Sequence, residues 1–265
     1  MKLSFRTLAT FSCAFTLLLA TGTASSEAPR DAVDRALGQT GKALAGDKKG
    51  ASMKAQTAVM LAVCSAVPLV ATADPVKRDF ESDAVGAPPA GFEFARTGGG
   101  AEGKWVVRVE KGADKNHVLV QESADATDYR FPVAVLKDGS YKDVTLSVRA
   151  RPLSGKVDQG FGLVWRYRDA NNYYITRCNA DEDNCTIYHT VAGRRRAFLN
   201  HDVKVATNTW HILKMEAVGD HFTVWYDGNK VLDAKDETFK DPGKVGLWTK
   251  ADSVIEFDDL TVDGR

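Results

Sequence analysis

From residue 104 onward the chain is written in a period of two. In VTLSVRA (144–150), Val144, Leu146, Val148 and Ala150 fall on one side, and Thr145, Ser147 and Arg149 on the other. FGLVWRY (161–167) puts Phe161, Leu163, Trp165 and Tyr167 together. KWVVRVE (104–110), HVLVQE (117–122), NYYITRC (172–178), NCTIYHT (184–190), WHILKMEA (210–217), HFTVWYD (221–227), KVLDA (230–234), KVGLWTK (244–250) and VIEFDDLTV (254–262) read the same way. Turn residues separate them: Asp138-Gly139, Val218-Gly219-Asp220, Asp241-Pro242-Gly243 and, as a strong hairpin signal, Asp227-Gly228-Asn229. No segment carries a sustained helical stripe. So many short strands, each with one face to bury, predict an all-β fold of two antiparallel sheets packed face to face, and their number favours a jelly-roll sandwich over a seven-stranded immunoglobulin type.

The first part of the chain is of another kind. MKAQTAVMLAVCSAVPLVATADP (53–75) has a basic start at Lys54, an apolar run, and the small residues Ala71-Thr72-Ala73 before Asp74. That is the pattern of a secretory signal peptide cleaved before Asp74. A weaker signal-like stretch opens at Met1, and two in succession make no mechanical sense. Lys49-Gly50-Ala51 can be encoded by a sequence containing AAGGAG, a bacterial ribosome-binding element just ahead of Met53. The expectation is therefore a natural start at Met53, with 1–52 a mis-called extension, 53–73 a signal peptide and 74–265 one sandwich domain, secreted or periplasmic, with no stable membrane insertion after cleavage.

Residues 74–265 hold 31 acidic and 27 basic side chains, a net of −4, which argues against nucleic acid as a partner. Cys13 and Cys64 lie in the leader, leaving Cys178 and Cys185. An even pair in an exported chain reads as a disulfide, here across a hairpin.

NNYYITRCNADEDN (171–184), WHILKMEAVGDHFTVWYDGNKVLDA (210–234) and GKVGLWTKADSVIEFDDLTV (243–262) resemble exported bacterial domains of the concanavalin A-like lectin/glucanase superfamily. Within it they are similar to the 3-keto-disaccharide hydrolase-like family, over about residues 75–265. The opening DFESDAVGAPPAGF (79–92) departs from the Phe-Asp-Gly-Lys-x-Leu-x-Gly-Trp opening of the hydrolase-like members. The resemblance implies a jelly roll whose concave sheet handles sugars, some relatives being hydrolases of oxidised glycosides and others binding modules. A carbohydrate ligand is the expected partner; the competing reading is a non-catalytic envelope interaction protein with no small ligand.

The sharpest candidate site is Tyr174, Arg177, Asn179, Glu182 and Asn184. Arg and Glu beside amides form a fixed array of donors and acceptors that suits sugar hydroxyls, Tyr174 offers an apolar face, and Glu182 is a candidate general acid or base. The competing reading has Arg177 pairing with Glu182 only to stiffen the hairpin. Trp248, with Lys250 and Asp252 nearby, and His189 complete the candidate binding set. Arg194-Arg195-Arg196 would alternate faces in a strand and could still reach an anionic ligand. The glucanase motif of the superfamily, Glu-x-Asp-x-x-Glu, is only echoed by Glu256-Phe257-Asp258, because Thr261 stands where the third acid belongs. Ordinary retaining glucanase activity is therefore not expected. Asp79, Glu81, Asp258 and Asp259 would meet if the first and last strands pair, and would then suit a structural calcium ion; the competing reading is ordinary surface acids.

Overall fold

The computed structural model describes residues 74–265. The proposed leader, its cleavage point and the start at Met53 lie outside them. Fifteen strands and no helix make up the described part. They are β1 (Val76–Arg78), β2 (Phe92–Gly98), β3 (Trp105–Val109), β4 (His117–Gln121), β5 (Arg130–Leu136), β6 (Val144–Ser154), β7 (Gly160–Asp169), β8 (Asn172–Asn179), β9 (Asn184–Val191), β10 (Arg194–Asp202), β11 (His211–Val218), β12 (His221–Tyr226), β13 (Asn229–Lys235), β14 (Lys244–Thr249) and β15 (Val254–Gly264).

Two antiparallel sheets result. One runs β13-β12-β11-β6-β15-β4-β3, with β1 added to β15; the other runs β10-β9-β8-β7-β14-β5-β2. Neighbours such as β14 and β5 are far apart in sequence, as the crossing connections of a jelly roll require. The Asp227-Gly228 signal is realised as a two-residue turn with φ of 47° and 79°, flanked by the pair Tyr226↔Asn229. Both angles are positive, as a type I′ turn demands.

The alternation seen in the sequence builds the core. Leu146, Val148 and Ala150 of β6 meet Phe161, Leu163 and Trp165 of β7 between the sheets, all with no exposed surface. Four strands escape the period-two reading, among them β10, which is mostly exposed and shows no alternation. β5 (RFPVAVL) is buried along its whole length, so both of its faces are apolar and no alternation marks it. β1 is too short to show a pattern. β2 carries the mixed burial of a sheet-edge strand.

The reason for β5 is a second apolar layer. Phe131, Val133, Val135, Val164, Tyr173, Ile175, Tyr188 and Trp248 form a separate buried cluster on the outer face of the seven-stranded sheet. A sheet face turned away from the core is usually polar. Here it is lined with aromatic rings, and the candidate site lies among them.

Candidate functional site

β8 divides the predicted motif. Tyr173, Ile175, Arg177 and Asn179 face outward, while Tyr174, Thr176 and Cys178 face the core. Tyr174 and Arg177 are three residues apart and therefore cannot share a face. The structure corrects the expectation for Tyr174: its ring is fully buried between Trp165, Phe222 and Phe239, with no face for a ligand. Its hydroxyl donates to Asp236 Oδ1 at 2.5 Å and accepts from the Phe239 amide at 3.0 Å. Cys178 and Cys185 are directly opposed across β8 and β9, with Cα atoms 4.1 Å apart, and are disulfide-bonded.

Arg177 is the hub of the outer face. Its side chain is 3% exposed, and it donates through Nε to Tyr188 Oη at 3.2 Å, through Nη1 to Asn184 Oδ1 at 3.0 Å and through Nη2 to Glu182 Oε2 at 2.5 Å. Asn184 Nδ2 closes the ring onto the same Glu182 oxygen at 3.2 Å. Burial pushes the Glu182 carboxyl up, but the Arg177 hydrogen bond and charge, with Asn184, outweigh it and hold the acid below its usual range. An acid held ionised is poorly suited to donate a proton. Asn179 sits behind this ring. It is fully buried, and its Oδ1 accepts the Asp181 amide at 3.0 Å, which fixes the β8–β9 turn.

Beside it stands a second array. Lys250 Nζ lies 2.6 Å from Asp158 Oδ2 and 3.1 Å from Asp128 Oδ1. Burial raises the Asp158 carboxyl, and Lys250 offsets this only in part. Its Oδ1 is buried with no partner. Asp252, expected as a binding residue, is instead committed to the backbone. It accepts the amides of Lys156, Val157 and Asp158 at 2.7, 3.0 and 3.1 Å. Burial pushes this carboxyl up, and those amides bring it below its usual range. Asp252 thus anchors the loop that carries Asp158.

Trp248 does lie on this face, but its ring is fully buried, stacked on Phe131 at 5.3 Å beneath the Arg195 guanidinium, so like Tyr174 it offers no face to a ligand. It pairs in register with Gly162, where a Cβ would come within 2.5 Å of the Thr176 carbonyl. At Gly160 a Cβ would stand 2.7 Å from Asp158 Oδ1. Gly160 therefore leaves room for the acid, and Gly162 for the adjoining β8 backbone. Arg177, Glu182, Asn184, Trp248 and Lys250 are gathered on one face, with Asn179 and Asp252 supporting them from behind.

His189 is not among them. It faces the other side of β9, 3.6 Å from Asp236, and lines a separate edge cleft with Val191, Arg194, Arg196 and Thr238. Asp158 and Tyr188 were missed, and Arg195 was named only as one of three arginines that could reach an anionic ligand. Tyr188 was within reach of sequence reasoning, since Asn184, Thr186 and Tyr188 alternate on β9 and the Cys pairing sets their face. Asp158 lies in a loop with no pattern.

The four proposed calcium ligands do not share an ion. β1 does pair with β15. However, Asp79 accepts the Glu81 amide, Glu81 accepts the His117 amide, and Asp258 and Asp259 both take Arg149. No group of three or more His, Cys, Asp or Glu among the described residues is arranged to hold a metal. Glu256 and Asp258 are not a solvated pair either. They are 4% and 2% exposed and face Arg151 and Arg149, whose guanidinium groups sandwich Trp210 at 4.8 and 4.7 Å. These acids belong to the opposite sheet.

The sequence model of the 3-keto-alpha-glucoside-1,2-lyase-like domain matches residues 88–263. The chain belongs to this family. The 3-keto-alpha-glucoside-1,2-lyase-like domain here is also 25% identical over 164 residues to a levanase of Bacillus subtilis, a match spanning 60% of this chain and 21% of the levanase. Among solved structures it is similar to the carbohydrate-binding module CBM66 of Bacillus subtilis, with a TM-score of 0.53, 22% identity, and coverage of 64% of this chain and 95% of that one. It is likewise similar to the exoplasmic/lumenal domain of VIP36 in a Ca2+- and mannose-bound form, with a TM-score of 0.51, 8% identity, and coverage of 72% and 89%. At these identities the structural likenesses show the fold, a concanavalin A-like jelly-roll sandwich. No helix among the described residues is long and apolar enough to cross a membrane.

Proposed function

We propose that this domain is an exported carbohydrate-binding module whose sugar site is the outer face of the seven-stranded sheet. One observation carries the reading. Arg177, Glu182 and Asn184 form a closed hydrogen-bonded array next to the Lys250–Asp158 pair and the Trp248–Phe131 stack. Polar groups held rigid by the buried rings beneath them are what a saccharide needs, because the site loses little entropy when hydroxyls dock. The similar CBM66 and VIP36 structures, a carbohydrate-binding module and a mannose-bound form, lend support. Export is supported by the leader-like segment at 53–73 and by the Cys178–Cys185 bond, since disulfides persist in oxidising compartments. The test is an array of immobilised oligosaccharides probed with the wild-type chain and with Asn184→Ala. Binding that Asn184→Ala leaves unchanged would remove the site from this face.

A second reading, action on a 3-keto-disaccharide or related glycoside, is favoured by the family match and by Asp158. That acid is buried, raised above its usual range, and has a free Oδ1 beside the Arg177 array. It suits proton donation better than Glu182 does. Incubating 3-keto-glycosides with wild type, Asp158→Asn and Glu182→Gln separates the two acids. Equal turnover in all three would leave neither with a role.

A further inference from the structure

Three cations are drawn into the outer face of the seven-stranded sheet, and two are spent. Arg177 directs its donors at Tyr188, Asn184 and Glu182, and Lys250 lies between Asp128 and Asp158. Arg195 differs. It pairs in register with Thr190 and so faces this side, whereas Arg196 pairs with His189 and faces the other. Its guanidinium carbon lies 4.4 Å over Phe131, 4.4 Å over Tyr188 and 5.4 Å over Trp248. Nη1 is buried with no partner, and no carboxylate or carbonyl among the described residues accepts from its side chain. The strand is tied down at this point, since the Arg195 amide donates to Tyr129 Oη at 2.8 Å.

A guanidinium this deep is ordinarily matched by an anion, because withdrawing it from water without one is costly. The aromatic faces compensate only in part. Burial, first of all, drags this guanidinium below its ordinary value, with Arg177 adding repulsion against the pull of Tyr188, Asp158 and Tyr173. Of the three cations on this face, Arg195 is therefore the one left without an anion.

We propose that the saccharide taken here is anionic, its carboxylate or sulfate ester seated on Arg195 while its hydroxyls meet Asn184, Glu182 and Asp158. This rests on the reading of the face as a sugar site. A planar fork that accepts two oxygens at once fits such a group better than a lone ammonium would.

The test is calorimetric titration of the full chain with matched oligosaccharides that are neutral, carboxylated or sulfated. Wild type, Arg195→Gln, Arg195→Lys and Asn184→Ala are compared, with thermal melts recorded for each. At least one anionic series should bind wild type roughly tenfold or more tighter than its neutral match. Arg195→Gln should bring the two affinities together, and Arg195→Lys should keep part of the preference. If Arg195→Gln fails to fold, the wild-type and lysine measurements still decide. Equal affinity for neutral and anionic series, with binding lost in Asn184→Ala, overturns the anionic proposal and leaves the sugar site standing. No binding by any series, or binding indifferent to Asn184, overturns both.

Discussion

Lys250 and Asp158 form an ion pair, Nζ to Oδ2 at 2.6 Å, in which the acid is 1% exposed and the amine 13%. The pair is deep enough that neither member is dispensable, and its loop is held from behind by Asp252. A buried charge stripped of its partner is far worse than no charge at all, and that asymmetry makes the pair testable.

Lys250→Met should cost about 3 kcal/mol at neutral pH, because the buried Asp158 carboxyl loses its counter-charge. The pH dependence has a definite sign. Asp158 is raised above its unfolded value, so its contribution to stability is fullest below the unfolded value and is lost as pH rises through the folded one. The Lys250→Met deficit should therefore shrink on acidification and grow toward alkaline pH. Thermal melts of wild type and variant across that range check it, and a deficit independent of pH would contradict the ion-pair account.

Glu182 carries the opposite signature. Its folded value is depressed, so its contribution is present above the unfolded value and disappears as pH falls through the folded one. Because its side chain is 41% exposed, water screens the bond, and Glu182→Gln should lose only about 1 kcal/mol at neutral pH. The wild type and the variant should converge in acid. Urea unfolding at several pH values reads this directly.

Tyr174→Phe tests the correction made above. The change removes a hydroxyl that serves Asp236 and the Phe239 amide at the lip of the core, and should cost about 1–2 kcal/mol. Saccharide binding should be unaffected, since the ring lies between the sheets. A selective loss of binding without a loss of stability would restore Tyr174 to the site.

On the opposite sheet, Arg151 separates two acids, lying 3.2 Å from Glu110 and 2.5 Å from Glu256. Arg151→Ala should destabilise by about 3–5 kcal/mol, because Glu256 is left buried and unpaired. Glu256→Gln should be milder, since burial already raises that acid and the amide can still accept from the guanidinium. Neither change should alter saccharide affinity once folded protein is compared. Chemical denaturation together with titration of the surviving fold decides it.

The architecture was legible because alternation is a property of single residues: Val144, Leu146 and Val148 declare a face without reference to anything distant. β5 was not legible, since its second face is covered by Trp248 and Tyr173, which arrive from β14 and β8. The same rule could have parted Tyr174 from Arg177, whose odd spacing forbids a common face. Lys250 and Asp158 lie far apart in sequence, and only the β7–β14 pairing brings their loops together. The proposed calcium ligands were not brought together for a related reason. The first and last strands do pair, but Arg149 neutralises Asp258 and Asp259, and no feature of the carboxylates' own spacing announces it.

Cys178 is the immediate neighbour of Arg177, so the sulfur bridge doubles as a proofreading device. If β8 slid by a single residue, the thiols would be carried to the outside and the guanidinium would be driven into oil. Oxidation can succeed only in the alignment that leaves Arg177 on the outer face, bonded to Tyr188, Asn184 and Glu182. Any host that produces this chain under reducing conditions forgoes that checkpoint and leaves the register to the alternation of β8 alone.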